Sequence, residues 1–320
     1  MLARLAGSWW VRAAVTAGIL AWLGTRIDMR ASLAAVASIS RPHLLAVLGL
    51  VALDRMVMIW RWVLLLRAAS IAVTTGQAAR IFLTSSFVGS FLPAGVGGDA
   101  ARAWSLSQIT SRLGDALASV VVDRVLGVLA LAAMGAAGLA AWTPGGIDPL
   151  RVVAAVLVLG LACVAAFWGD TLLRAVLPAD RHDGPLARRL LRLADAVAHY
   201  RGHRGALATV MGWSIVVQVL RIVQAYGLGL GLGLHVPFAY YLLVMPLGLL
   251  MLLVPISVSG FGVPQGIIVW LLRPMGVPDP QAFALSTLIV LTGLAGNLPG
   301  LVLWLRRTPD ARTGSTSAAR

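Results

Sequence analysis

Lysine and glutamate are both missing from this 320-residue sequence: all 26 basic side chains are arginine and all 12 acidic ones are aspartate. Their absence excludes whole classes of mechanism. A phosphate-loop lysine, a Schiff-base lysine, the glutamate of a zinc-protease helix and a glutamate general acid each need a side chain that is not here. Cysteine is nearly as scarce. Cys163 stands alone in an apolar run, so neither an internal disulfide nor a CxxC metal site can form. Charge itself is thin, at 12% of residues against roughly 25% in a soluble domain. The remainder is 59% hydrophobic, arranged in runs near the ~20 residues that cross a hydrocarbon core. These properties exclude an ordinary soluble protein and predict an all-α, polytopic membrane helix bundle.

The net charge of +14 would suit a nucleic-acid partner only if the arginines formed one face. They lie between apolar runs instead. Arg174, Arg181, Arg188, Arg189, Arg192, Arg201 and Arg204 fall in 169–205, and Arg306, Arg307, Arg312 and Arg320 in the tail. That is the positive-inside pattern, so a cytoplasmic loop, a cytoplasmic tail, anionic lipid as neighbour and no nucleic acid are expected. Residues 1–305 read as one transmembrane domain and 306–320 as an Arg-rich disordered tail.

Apolar runs at 9–25, 43–66, 116–141, 152–168, 206–231, 239–255 and 282–305 read as ordinary spans, with 82–98 and 257–272 broken by Pro and Gly. About 7–9 membrane segments in all are expected. Counting back from the basic segments makes 257–272 a short broken span. Taking 82–98 as re-entrant leaves the N-terminus inside, and taking it as a span reverses that side.

Chemistry is expected where the backbone breaks. Between Phe91 and Arg102, Pro93, Gly95, Gly97 and Gly98 cannot comfortably continue a membrane helix, and irregular backbone at that depth survives only against protein or a water-filled cavity. Asp99 stands at an N-cap position and Arg102 three residues on. Glycine amides, a positive helix end and an arginine suit an anionic phosphate, while a mere capping pair is the plainer alternative. The second break holds Pro255, Gly260 and Gly262. Two such breaks in corresponding halves fit a repeat-built transporter, or equally a close helix crossing at Gly260 and Gly262.

Charges inside the spans are Asp54, Arg55 and Arg61, then Asp123 and Arg124, then Arg221 between Gln218 and Gln224. Each costs roughly 2.5–3.5 kcal/mol at a helix centre, so they should face one another or a cavity. The pattern suggests Asp54 with Arg124 and Asp123 with Arg55 or Arg80, while Arg61 and Arg67 near a membrane end can snorkel. An ion-pair cluster without substrate contact explains the same residues. Gly227, Gly229, Gly231 and Gly233 read as a packing face, because no lysine can complete a nucleotide loop. The five histidines show no metal spacing. No metal and no cofactor are expected.

The order Arg61-Trp62, Arg80 with Phe82, Leu92-Pro93 leading to Gly97-Gly98-Asp99 and Arg102, Asp123-Arg124 with Gly127, Pro255 with Ser257, Gly260 and Gly262, then Gly296 with Pro299-Gly300, resembles the lysylphosphatidylglycerol synthase transmembrane-region family of flippase-like proteins. In that family such a region is joined in full-length synthases to a soluble aminoacyl-transferase domain. The resemblance here is to stand-alone membrane members, and the synthase activity does not carry over. Where relatives commonly have an Arg-Glu-like pair, this chain has Pro264-Gln265.

The expected function is translocation of an anionic or polyisoprenoid-type lipid in the cytoplasmic membrane, without catalysis. Arg80, Asp99, Arg102, Asp123, Arg124, Gly97 and Gly98 are the candidate substrate residues, and Pro93, Pro255, Gly260, Gly262 and Arg221 the structural or gating ones. The rival readings are a membrane enzyme of lipid or lipid-linked sugar modification, with Asp99 and Asp123 as its carboxylates, and a non-catalytic partner of a separate lipid-biosynthetic enzyme.

Overall fold

The computed structural model describes residues 28–92, 96–110, 112–142, 149–176, 184–250 and 263–306. The expected span at 9–25, Pro93, the break with Pro255, Gly260 and Gly262, and the tail beyond 306 lie outside them. The described residues form helices without strands, in chain order α1 (Met29–Ala37), α2 (Arg41–Ala68), α3 (Thr75–Gly89), α4 (Val96–Thr110), α5 (Leu113–Ala141), α6 (Pro149–Ala166), α7 (Gly169–Val176), α8 (Pro185–His199), α9 (Arg204–Gly231), α10 (Phe238–Leu250), α11 (Val263–Leu272), α12 (Asp279–Ala295) and α13 (Leu298–Leu305).

Four of the expected ordinary spans appear as helices long and apolar enough to cross a membrane: Arg41–Ala68, Leu113–Ala141, Arg204–Gly231 and Asp279–Leu305. A fifth is reached if Leu157–Ala166 is counted together with Gly169–Val176, which meets it at a bend of 84°. Among the described residues, then, four to five candidate spans stand against the 7–9 segments expected. The run at 239–255 begins as a short helix, α10, with Pro246 inside it. Proline there removes a backbone donor and crowds the preceding turn.

Several helices expose long apolar side chains outward. Leu45, Leu53 and Met56 of α2, Ile215, Val216 and Val219 of α9, and Leu157, Val158 and Leu161 of α6 are all exposed. Such a belt has no place in water and every place against acyl chains. Inside, α2 packs along α9, α5 against both, and α12 closes the ring. Val47 and Val51 join α9, α10, α11 and α12 in one apolar core, and Leu65 joins α5, α8 and Val210 in another.

Residues 75–110 fold back on themselves. Thr74 and Gln77 form a capping box that starts α3. A β-carbon at Gly98 would lie 3.2 Å from both the Gly89 Cα and the Ser85 carbonyl oxygen, Arg102 sits over the Phe82 ring, and Leu106 packs with Ala78 and Ile81. As residue numbers rise along α4 they fall along α3, so the two helices run antiparallel as a hairpin. α13 braces α3 on its outer side, with the Leu83 carbonyl where a Gly300 side chain would be. The glycines of α9 do form a packing face: Gly227 meets Val47, Gly229 meets Tyr241, and Gly231 meets His43 and Ile39, while Gly233 takes the left-handed φ of +73° that ends the helix.

The basic stretch 169–205 is more ordered than a loop. Its Leu191, Ala194 and Val197 recur on one buried face of α8 against α5, with Arg188, Arg189 and Arg192 outward. Arg174 pairs with Asp195 at 2.9 Å and Arg201 with Asp170 at 2.7 Å, pinning α7 to α8 and to the short 3-10 turn that follows.

Candidate functional site

The inward stripes of α2, α5 and α9 meet the hairpin and α12 around a cavity of about 650 Å³. Helical periodicity builds it. Asp54, Met58 and Arg61 recur on α2, Asp123, Gly127 and Leu131 on α5, and Val217, Arg221, Gln224 and Leu228 on α9, at the three- and four-residue spacing of one helix face. Five arginines (Arg55, Arg61, Arg102, Arg124 and Arg221) and three aspartates (Asp54, Asp99 and Asp123) line it, a formal +2. Val128, Val217, Leu249, Ile289 and Val290 give it apolar wall as well.

The charges form two groups. In the first, Asp123 lies 2.8 Å from Arg61 and 3.2 Å from Arg102. Arg102 also donates to Asp99 at 3.0 Å, and the Arg124 Nε donates to the other Asp99 oxygen. Three arginines and two aspartates thus bridge α2, α4 and α5. Arg61 is held further by donating to the Ser214 hydroxyl of α9 at 3.0 Å. The Arg102 guanidinium lies over two neighbouring rings, 5.2 Å from the centroids of both Trp62 and Phe82, a seat that favours a cation. In the second group Asp54 lies 3.4 Å from Arg221 and 4.0 Å from Arg55.

The expected site residues sort unevenly. Asp99, Arg102, Asp123, Arg124, Gly98 and Arg221 all line the cavity. Gly98 does so while serving the close crossing of α4 with Gly89 of α3, and the space beside Gly97 is filled by the Leu92 side chain. Arg80 is exposed and does not line the cavity. Asp99 sits within the first turn of α4, not at its N-cap, because the helix already begins at Val96. Its carboxylate still lies near the positive end of α4, where a negative charge is favoured.

The suggested pairings need correction. Asp54 meets Arg221 and Arg55, not Arg124; Asp123 meets Arg61 and Arg102, not Arg55 or Arg80. The reason is the tight pairing of α2 with α9 and the fold-back of the hairpin, neither of which the spacing of charges reveals. Arg61 does not snorkel: it is 4% exposed, whereas Arg67 is exposed and lies over Trp60. Gln265, at the position of the expected carboxylate, is buried in α11 and does not line the cavity. Sequence reading missed Asn297, the chain's one asparagine. Its amide donates to the Ser90 hydroxyl at 2.8 Å, tying the α12–α13 break to the hairpin tip. A lone amide inside an apolar run beside Gly296 was the available signal.

A bundle with an outward apolar belt, enclosing a cavity both charged and apolar, is a multi-pass membrane protein. The chain belongs to the family described as the lysylphosphatidylglycerol synthase TM region, whose model matches residues 9–300. No curated protein matches it. Family and fold together give a membrane protein of lipid-related function.

Proposed function

We propose that this protein carries a phosphate-bearing lipid, a phospholipid or a polyisoprenoid-type carrier, between the leaflets of the cytoplasmic membrane. The observation that supports this best is the surplus of arginine in a cavity that also has apolar wall. A guanidinium matches phosphate oxygens in charge and shape, while the apolar side chains suit the first carbons of a lipid tail. Arg102 and Arg124 meet the headgroup, and Asp99 and Asp123 keep those arginines in place when no headgroup is near.

Acid-base chemistry on the lipid is the less favoured reading. Each cavity aspartate is already shared between two arginines, an arrangement that orients guanidinium groups and leaves little carboxylate edge for a substrate proton. The test is a labelled anionic phospholipid placed in one leaflet of vesicles that contain the purified protein. Transport predicts label in the opposite leaflet, chemically unchanged, at a rate well above empty vesicles. A covalently altered product would overturn the reading in favour of an enzyme.

A further inference from the structure

The second charged group, on α2 and α9, is not needed to hold one phosphate. We propose that Arg55 and Arg221, converging over Met58, form a second anion site, and that the lipid handled here carries two phosphate groups, either a diphosphate or two phosphodiesters. This rests on the reading that the cavity takes a lipid headgroup.

The donors and acceptors of this group are mismatched. Arg221 Nη2 lies 3.1 Å from the Met58 sulfur, and Arg55 Nη1 points to the same sulfur at 3.8 Å. A thioether is a weak acceptor, whereas guanidinium donors are suited to the paired oxygens of carboxylate or phosphate. Asp54 is the carboxylate within reach, at ion-pair rather than hydrogen-bond geometry: its Oδ1 and the Arg55 Nε have no hydrogen-bond partner.

The Arg55 side chain is nevertheless built into place. A β-carbon at Gly296 would come within 3.1 Å of its Nε, and its Nη2 donates to the Gly293 carbonyl at 3.4 Å. α12 thus holds a cation at the cavity wall through a single long backbone contact.

Charge and spacing carry the rest. The first group is three arginines against two aspartates and the second two against one, so each has a formal surplus of one positive charge. In the second group the Arg55 and Arg221 side chains are only 18% and 27% exposed, and a largely buried surplus is costly unless an anion meets it. Asp54, Met58 and Arg61 follow one another along a single face of α2, at about 5 Å per turn. The two groups therefore adjoin along one wall of one cavity, within reach of two phosphates on one lipid.

Native mass spectrometry of the purified full chain in detergent tests this without any transport step. The probes are a polyprenyl monophosphate and diphosphate of equal chain length, and phosphatidylglycerol and cardiolipin of equal acyl composition. In at least one pair the two-phosphate lipid is expected to bind roughly tenfold more tightly, about 1.4 kcal/mol. Preference in the polyprenyl pair alone identifies a diphosphate, and in the other alone paired phosphodiesters. Arg55→Gln and Arg221→Gln should each cost the two-phosphate lipid far more than its one-phosphate counterpart, with Arg221→Lys keeping part of the preference. Equal affinity within both pairs in the unaltered protein overturns the proposal, whether or not the variants fold. So does an equal loss for both lipids in folded variants. A two-phosphate preference without leaflet exchange would remove the transport reading and leave this one standing.

Discussion

Asp123→Asn is expected to lower the unfolding free energy by about 3–5 kcal/mol, the usual cost of breaking a buried ion pair from one side. The cause lies in the partners it leaves. Asp123 is 2% exposed and is shared by Arg61 and Arg102, themselves 4% and 5% exposed. An asparagine keeps the shape and withdraws the charge, leaving two buried guanidinium groups with only Asp99 and the Ser214 hydroxyl between them. A titration from mild detergent into dodecyl sulfate reads the loss. Adding Arg61→Leu to Asp123→Asn should recover a large part of it, because removing both members of a buried pair costs much less than removing one. A single-variant loss below about 1 kcal/mol, the range of ordinary surface changes, would show that the group is not buried as described.

Trp62→Ala is expected to cost a further class of interaction at once. Trp62 is fully buried, packs at 6.4 Å from the Phe82 ring, donates from Nε1 to the Ser119 hydroxyl at 3.4 Å, and forms one side of the seat for Arg102. Truncating a buried tryptophan removes about 3–5 kcal/mol through lost transfer energy and the cavity left behind. Loss of the cation–ring contact adds about 0.5–2 kcal/mol. Trp62→Phe should retain most of both terms, since an aromatic face remains beneath the guanidinium. The same denaturant titration separates the outcomes. If Trp62→Ala and Trp62→Phe were equally harmful, the indole hydrogen bond rather than packing and the seat for Arg102 would be what matters.

The sequence was most informative about what is expensive. Each charged residue inside an apolar run carries a cost that must be met somewhere, and Asp54, Arg55, Arg61, Asp123, Arg124 and Arg221 do all converge on one cavity. Long uninterrupted runs were equally legible, as α2, α5 and α9 show. Pairing was not. Which arginine meets which aspartate depends on the antiparallel fold of α3 and α4 and on the seam between α2 and α9, and neither leaves a periodic trace. Gly97 and Gly98 suggested amides near a phosphate, and their want of a side chain also lets Leu92 and Gly89 approach, a packing use that spacing alone does not reveal. Arg80, suggested as a partner for Asp123, is exposed and lies outside the cavity lining, because the fold of α3 and α4 brings Arg102 to that carboxylate instead. Asn297 left only the signal of a lone amide in an apolar run, without periodicity to point to its partner Ser90.

The proposed path of the lipid headgroup runs through the arginine-lined cavity. Its most direct test is leaflet-resolved lipid exchange in vesicles containing the unaltered protein, Arg102→Ala or Arg124→Ala, each variant first shown to elute and melt as a folded protein. Exchange by the unaltered protein is expected, with a loss of about tenfold or more in each variant, the scale of one charge-assisted contact to a phosphate. Unchanged exchange in both folded variants would contradict it.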